Sequence, residues 1–252
     1  FNKREKVGLF AQSEAAQSRS QELFGEILSL EESTRRILAE VRSGGDEAVR
    51  RYSHILDGVD LQSFEIESDQ LNVAFEQIDK SLMEALKLSA RRIKEYHEAS
   101  LPKSWMDREK GLGEEMIPLG RVGIYAPGGT ASYPSTVLMT AIPARVAGVK
   151  EVILCSPSPS PAVLAAATIA GVDRVFSIGG VQAIGAMAYG TDSVPRVDMV
   201  CGPGSIFVTL AKKLVFGDVA IDGLYGPTET VVVADETADP TYCAADLLAQ
   251  AE

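Results

Sequence analysis

The chain has 252 residues, of which 46% are hydrophobic, so it can bury a substantial core in one large domain or two small ones. Its 24 basic and 35 acidic side chains give a net charge of −11, which argues against binding nucleic acid or an anionic membrane through bulk electrostatics. Three scattered cysteines do not form a disulfide framework and favour a reducing compartment, and no apolar run is long enough to span a bilayer.

Residues 1–118 form a charged region in which the apolar spacing predicts helices that pack on the rest of the chain. A glycine-containing break at residues 43–46 leaves Asp46 positioned to cap the helix that follows it. A short strand is predicted at residues 115–117, just before the expected domain boundary. The predicted helices cover residues 14–30, 34–41, 47–56 and 79–100.

Residues 119–223 alternate between short β-rich runs and helical runs of about ten residues, which predicts a parallel sheet covered on both faces. The expected fold is therefore α/β, with a Rossmann-like domain following the helical region. The predicted strands cover residues 122–126, 151–155, 174–178, 197–201 and 219–222, and the predicted helices cover residues 134–148, 161–170, 181–189 and 206–215.

Residues 224–252 are interpreted as the start of a second, incomplete Rossmann-like domain. The run at residues 230–234 predicts a buried strand, and Asp239 or Thr241 is positioned to cap a helix that continues to Glu252. Because this helix still carries apolar residues and has no C-cap at the last residue, we expect further sequence to follow. The chain begins at Phe1 rather than at methionine, so a removed targeting segment is also an open possibility.

Three glycine-bearing turns follow predicted strands, at residues 127–129, 179–180 and 202–204. The carboxyl ends of parallel strands share one edge of a sheet, where an open α/β fold has its ligand crevice. The free N–H groups and positive dipole at the starts of the following helices suit an anion or a cofactor. None of these turns matches the G-x-G-x-x-G dinucleotide fingerprint or a P-loop.

Four polar residues near these turns are candidate ligand contacts, and each also has a structural interpretation. Tyr125 could stack against a ring or donate its hydroxyl, but a strand tyrosine is also a common core residue. Gln182 and Ser205 lie in first helical turns, where amides and hydroxyls often serve only as caps. Thr228 could be another cap or a ligand contact.

The sequence shows little sign of a metal centre or of a nucleophilic triad. His54 and His97 both lie in the charged helical region and read as surface residues, and the cysteines show no C-x-x-C spacing. Asp246 and Gln250 are four residues apart on one helix face, where they could share a site or form a surface polar pair.

Seven segments, taken in order, are similar to those of one enzyme family. From about residue 30 to residue 252 the chain resembles histidinol dehydrogenase, a zinc- and NAD-dependent enzyme of histidine biosynthesis. The resemblance implies an aldehyde-dehydrogenase-like fold with two incomplete Rossmann-like domains and an intertwined homodimer. The segments are GDEAVRRYS, VGIYAPGG, STVLMTAIPARVAGVKEVILCSP, GGVQAIGAMAYGT, GPGSIFVTLAKK, GPTETVVVADE and AADLLAQAE.

The resemblance implies roles for five residues of this chain. Tyr125 and Gln182 match positions that contact NAD, and Ser205 stands at a third such position, where the family usually has asparagine. Thr228 stands where the family has a substrate-binding serine. Gln250 matches a glutamine that contacts both zinc and substrate, and the family's next zinc ligand is a histidine one position past Glu252.

The implied reaction is the NAD-dependent oxidation of L-histidinol through histidinal to L-histidine, in the cytoplasm. No catalytic residue is assigned within the chain, because the family's Glu-His proton-transfer pair falls beyond Glu252, and we therefore expect these 252 residues alone to be inactive. The departures at Ser205 and Thr228 leave open a paralogue that oxidises another small polar alcohol. A binding protein that kept the cleft without the chemistry is the third alternative.

Overall fold

The computed structural model describes residues 20, 21, 23–128, 132–225 and 230–251. Its strands are β1 (Trp105–Asp107), β2 (Leu112–Glu114), β3 (Arg121–Tyr125), β4 (Glu151–Cys155), β5 (Arg174–Phe176), β6 (Met199–Cys201) and β7 (Ala220–Ile221). Its helices are α1 (Leu30–Tyr52), α2 (Ser68–Gln77), α3 (Lys80–Ser100), α4 (Pro134–Val146), α5 (Pro161–Ala170), α6 (Gly180–Tyr189), α7 (Ile206–Val215) and α8 (Pro240–Ala251).

A parallel sheet in the order β5-β4-β3-β6-β7 is the centre of the fold. The strand that comes first in this sheet, β3, lies in the middle, so the direction of winding reverses between β3 and β6. In doubly wound α/β folds this reversal opens a crevice at the carboxyl ends of the strands. The predicted α/β class with a Rossmann-like parallel sheet is confirmed.

Two apolar clusters cover the two faces of the sheet. One contains buried residues of α1, α6 and α7, and the other contains buried residues of α2 to α5. The α1 helix approaches α6 so closely that a β-carbon on Gly185 would lie 3.1 Å from a methyl carbon of Val41. The predicted helical region therefore packs directly on the sheet unit. The predicted domain limits at residues 118 and 223 stay a prediction.

Helix α1 begins with a capping box between Ser29 and Glu32 and changes direction at Gly45, whose backbone is not helical (φ 52°, ψ −134°). The predicted break is thus present, but the capping role of Asp46 is wrong. The Asp46 carboxylate instead accepts hydrogen bonds from the backbone N–H and the hydroxyl of Ser193, which follows α6. The Asp46 side chain therefore ties α1 to the sheet unit instead of capping its own helix.

Two predicted strands are wrong. The strand expected at residues 115–117 lies earlier, at β2, where it pairs with β1 in a small antiparallel hairpin. Residues 230–234 form no strand, and Val231 and Val233 are 83% and 94% exposed. Their β-branched pattern finds no neighbouring strand among the described residues. The predicted helix after it is present, and Asp239 caps it by accepting a hydrogen bond from the N–H of Thr241 at 2.8 Å.

The edge of the sheet at β5 is covered by the chain that precedes α2. The N–H of Ile66 donates to Val175 O at 2.8 Å, and that of Ser177 donates to Phe64 O at 2.7 Å. Within the ranges described above, no helix is both long and apolar enough to cross a bilayer. The three cysteines, Cys155, Cys201 and Cys243, are free thiols.

Candidate functional site

The glycine turns after β3, β5 and β6 gather at one edge of the sheet. A β-carbon on Gly128 would lie 2.2 Å from the carbonyl oxygen of Pro157, and one on Gly179 would lie 2.6 Å from the Pro157 ring. A β-carbon on Gly202 would lie 2.1 Å from the carbonyl oxygen of Tyr125. Only glycine allows backbones to approach this closely. The turns that the sequence singled out therefore lie together at one edge of the sheet, where the winding reverses and α/β folds have their ligand crevice.

Three helices begin at this edge without a side-chain cap. The N-cap residues of α4, α6 and α7 are Tyr133, Gly179 and Ser205, and none of them makes a capping hydrogen bond through its side chain within the described structure. The first N–H groups of a helix have no partner within the helix, and the helix dipole is positive at that end. The crevice therefore offers backbone donors to an anionic group such as a phosphate.

Tyr125, at the end of β3, is buried, with 5% of its surface exposed. Its hydroxyl oxygen accepts a hydrogen bond from the N–H of Gly180 at 3.2 Å, which joins the end of β3 to the start of α6. Burial raises the pKa of the Tyr125 phenol to about 12, so the hydroxyl keeps its proton at neutral pH and can still donate it to an acceptor. The position fits the core interpretation and leaves a donor for a ligand.

Gln182, in the first turn of α6, is completely buried and does not cap the helix. Its Nε2 donates to Oδ2 of Asp57 at 3.0 Å, while its Oε1 has no hydrogen-bond partner among the described residues. Asp57 ends a wide helical turn, Ser53–Asp57, that extends α1 and is closed by Gly58 in a left-handed conformation (φ 68°). Sequence reasoning missed Asp57, because an Asp-Gly pair after a helix indicates only a turn.

Ser205 lies beside a cavity of about 240 Å³ at the same edge of the sheet. A whole drug-sized ligand needs a pocket of about 300–1,000 Å³, so this cavity could hold one part of a dinucleotide. Because the Ser205 hydroxyl makes no capping bond in the described part of the chain, the alternative role of Ser205 as a helix cap is not supported. The cavity is lined by Ser20, Leu23, Ser33, Ile37, Leu56, Asp57, Gly180, Val181, Ser205 and Phe207.

A buried ion pair fixes the turn after β6. Lys212, which is 2% exposed, pairs with Asp222 and also donates to the carbonyl oxygen of Gly202 at 2.8 Å. Asp222 in turn accepts from the N–H of Gly202 at 2.8 Å. The pair therefore holds both backbone polar groups of Gly202. Sequence reasoning missed the Lys212–Asp222 ion pair, because a lysine near the end of a helix is expected to be solvent-exposed.

Of the two remaining predicted site residues, the structure places only Gln250, which does not join this cluster. Thr228 lies outside the described residues. Gln250 is exposed on α8, where its Oε1 accepts a hydrogen bond from the hydroxyl of Thr230 at 2.6 Å, and it does not line the cavity. Within the described ranges, no group of three or more His, Cys, Asp or Glu side chains could hold a metal ion. His54 instead lies 2.7 Å from Asp60 on the surface.

A larger groove of about 660 Å³ lies on the other face of the sheet, between α4 and the chain that precedes β3. It is formed mainly by apolar side chains such as Met139, Pro143 and Met199. It lacks the convergent helix N-termini of the glycine edge. This groove is larger than the cavity of about 240 Å³ beside Ser205, but its apolar lining does not suit a nucleotide.

Comparisons with known proteins agree with the residue pattern. The family model described as histidinol dehydrogenase matches residues 22–252. Histidinol dehydrogenases of Aquifex aeolicus and Dehalococcoides mccartyi are 52% and 54% identical over 90% and 86% of this chain, which covers 55% and 51% of theirs. The crystal structure of the Elizabethkingia anophelis enzyme superposes with a TM-score of 0.82 at 34% identity, covering 88% of this chain and 54% of its own. The chain thus spans about half the length of these relatives.

Proposed function

This chain belongs to the histidinol dehydrogenase family, and we propose that the protein oxidises L-histidinol through histidinal to L-histidine with NAD as the oxidant. The observation that carries the proposal is the gathering of the β3, β5 and β6 turns into one crevice at the winding reversal. In α/β folds this is where nucleotides bind. The sequence identity of 52% and 54% to two histidinol dehydrogenases supports histidinol oxidation as the specific reaction.

The residues of the crevice fit NAD. The uncapped N-termini of α6 and α7 would receive its phosphates, and Tyr125, Gln182 and Ser205 would contact the rest of the molecule. The unpartnered Oε1 of Gln182 offers a buried acceptor that a ligand hydroxyl or amide could satisfy. When bound, NAD supplies the hydride acceptor for the oxidation. The chain's own contribution is to hold and orient the nucleotide.

Zinc does not fit the described residues in the same way. A structural or catalytic zinc ion takes about four ligands, and Gln250 offers a single amide oxygen that already accepts a hydrogen bond from Thr230. We propose zinc dependence, with Gln250 as one ligand, on the family resemblance alone, and we derive no step through the metal. Substrate contacts by Thr228 and Gln250 are proposed on the same basis.

The experiment is a steady-state assay of the full-length protein with NAD and L-histidinol, followed by NADH formation. We expect two NADH per histidinol, and a raised KM for NAD in Gln182→Ala, which removes the buried amide. Gln77→Ala removes an exposed glutamine on α2 and should leave the KM for NAD and the NADH yield per histidinol unchanged. Faster turnover of another small polar alcohol would favour the paralogue. NADH binding without any alcohol oxidation would favour the binding protein.

We also propose, from the family resemblance, that the protein is a homodimer of the cytoplasm. Its free cysteines are consistent with a reducing compartment. Analytical ultracentrifugation of the full-length protein should give twice the monomer mass. A monomer at micromolar concentration would contradict the dimer.

A further inference from the structure

We propose that Asp57 is a positioning residue of the NAD site, which orients the Gln182 amide so that its oxygen faces a hydrogen-bond donor of the bound nucleotide. The inference rests on the proposed function, because it concerns the same crevice. It assigns a role in that crevice to a residue that comes from the helical region rather than from the sheet unit.

The chemistry of the contact fixes which way the amide points. An ionised carboxylate has only acceptor oxygens, so the atom that Gln182 presents to Asp57 at 3.0 Å must be the donor Nε2. The Oε1 atom must then point away from Asp57. A 180° flip of the Gln182 amide would place Oε1 against the carboxylate of Asp57 and lose this hydrogen bond. Asp57 therefore makes Gln182 an acceptor for any ligand.

The oxygen that results has no hydrogen-bond partner in the part of the chain that the structure describes. A buried acceptor without a partner costs about 1–3 kcal/mol, so such atoms in native proteins usually receive a donor from water or a ligand. Gly180 keeps the space beside Oε1 free, because a β-carbon at that position would lie 2.8 Å from it. Gly180 also lines the cavity that Asp57 and Ser205 line.

The position of Asp57 agrees with a role in the site rather than in the core. The residue is exposed and lies at the rim of the cavity, while the side chain it orients is fully buried. Burial, and to a lesser degree the negative charge of Asp57, raises the pKa of Tyr125, which places the carboxylate near a second predicted NAD contact. The Oε1 atom of Gln182 and the carboxylate of Asp57 are both hydrogen-bond acceptors, so this end of the crevice suits the ribose hydroxyls or the carboxamide of NAD. The phosphates belong at the helix N-termini.

NADH binding to the full-length protein, followed by fluorescence titration, tests the inference. Asp57→Ala removes the acceptor and lets the amide turn over, so the Kd for NADH should rise about tenfold. Asp57→Asn keeps an oxygen that can accept from Nε2 and should stay within about threefold of the unsubstituted protein. Asp60→Ala is the matched control, since it removes an exposed carboxylate three residues away and should change nothing.

A swapped pair separates orientation from loss of folding. Gln182→Glu brings two carboxylates together, so it should bind NADH poorly. When Asp57→Asn is added to that variant, the asparagine amide can donate to one oxygen of the introduced glutamate. The other oxygen of that glutamate then faces the ligand. The double variant should therefore bind NADH about fivefold or more tightly than Gln182→Glu alone, an effect that a purely structural Asp57 does not produce.

The outcomes are distinct. Unchanged NADH affinity in Asp57→Ala, or no recovery in the double variant, overturns the inference while the proposed function stands. Failure of the unsubstituted protein to bind NADH overturns the proposed function and this inference with it. A raised Kd in Asp57→Ala together with recovery in the double variant supports both.

Discussion

Replacing Gly202 with alanine tests whether the close approach between β3 and the turn after β6 shapes the crevice. Gly202 has φ +112°, and an added β-carbon would lie 2.1 Å from the backbone oxygen of Tyr125. The atom it meets belongs to the central strand, which cannot move away as a flexible side chain would. The turn must therefore shift, and with it the N–H that Asp222 holds at 2.8 Å.

Two costs add in Gly202→Ala. The left-handed backbone costs a non-glycine residue about 1–3 kcal/mol, and the steric overlap costs about 1–3 kcal/mol more. Their sum of about 2–6 kcal/mol should lower Tm by about 4–24 °C in a domain of this size. Gly217→Ala is the matched control, since Gly217 has φ +109° but no atom of the described residues lies within 4 Å of the added carbon. It should show only the backbone cost.

Thermal unfolding of the full-length variants, followed by circular dichroism, measures the difference. NADH titration below Tm then tells whether the turn also matters for binding. We expect Gly202→Ala to lose more stability than Gly217→Ala and to bind NADH more weakly. Equal losses in the two variants would refute the argument that the approach to Tyr125 is what requires glycine.

Three further variants test other contacts. Lys212→Met leaves the Asp222 carboxylate without its ion-pair partner and should lower the free energy of unfolding, measured by chemical denaturation, by about 3 kcal/mol. The control Lys150→Met, at an exposed position, should leave it unchanged. A loss below about 1 kcal/mol in Lys212→Met would contradict the assignment. Hydrogen bonding to Arg174 lowers the pKa of Glu65 below its usual 4.5, so the carboxylate stabilises the fold above that value and loses this contribution as pH falls through its lowered folded pKa. The pair is one-third exposed, so Glu65→Gln should cost less than about 1 kcal/mol at pH 7, and the two stability curves should converge in acid; a constant gap would refute the assignment. Ser205→Asn should tighten NADH binding several-fold in a titration, and an unchanged Kd would argue against a ligand role for this position.

Much of the fold follows from local sequence signals. Alternation of β-branched runs with helical spacing predicted the parallel sheet, and the glycine turns predicted the edge where the crevice lies. The failure of the strand predicted at residues 230–234 has a physical cause. The run at Val231 and Val233 has strand character, but a strand needs a neighbour, and none lies beside it in the described chain. Local propensity does not report that neighbour.

The site was only partly predictable for a similar reason. Tyr125, Gln182 and Ser205 lie at strand ends or helix starts, where chain order shows that they share an edge. Asp57 reaches Gln182 across 125 residues of sequence, and Lys212 is buried only because Asp222 and Gly202 accept its hydrogen bonds. Such contacts depend on how α1 and α7 pack on the sheet, which the periodicity of either helix does not encode.

The crevice at the glycine turns is where we expect NAD to bind. A crystal structure of the full-length protein with NAD bound tests this expectation. We predict a dinucleotide along the carboxyl ends of β3 and β6, with its phosphates at the starts of α6 and α7 and a donor within hydrogen-bond distance of Gln182 Oε1. A nucleotide seated in the apolar groove beside Met139 and Met199, on the other face of the sheet, would contradict it.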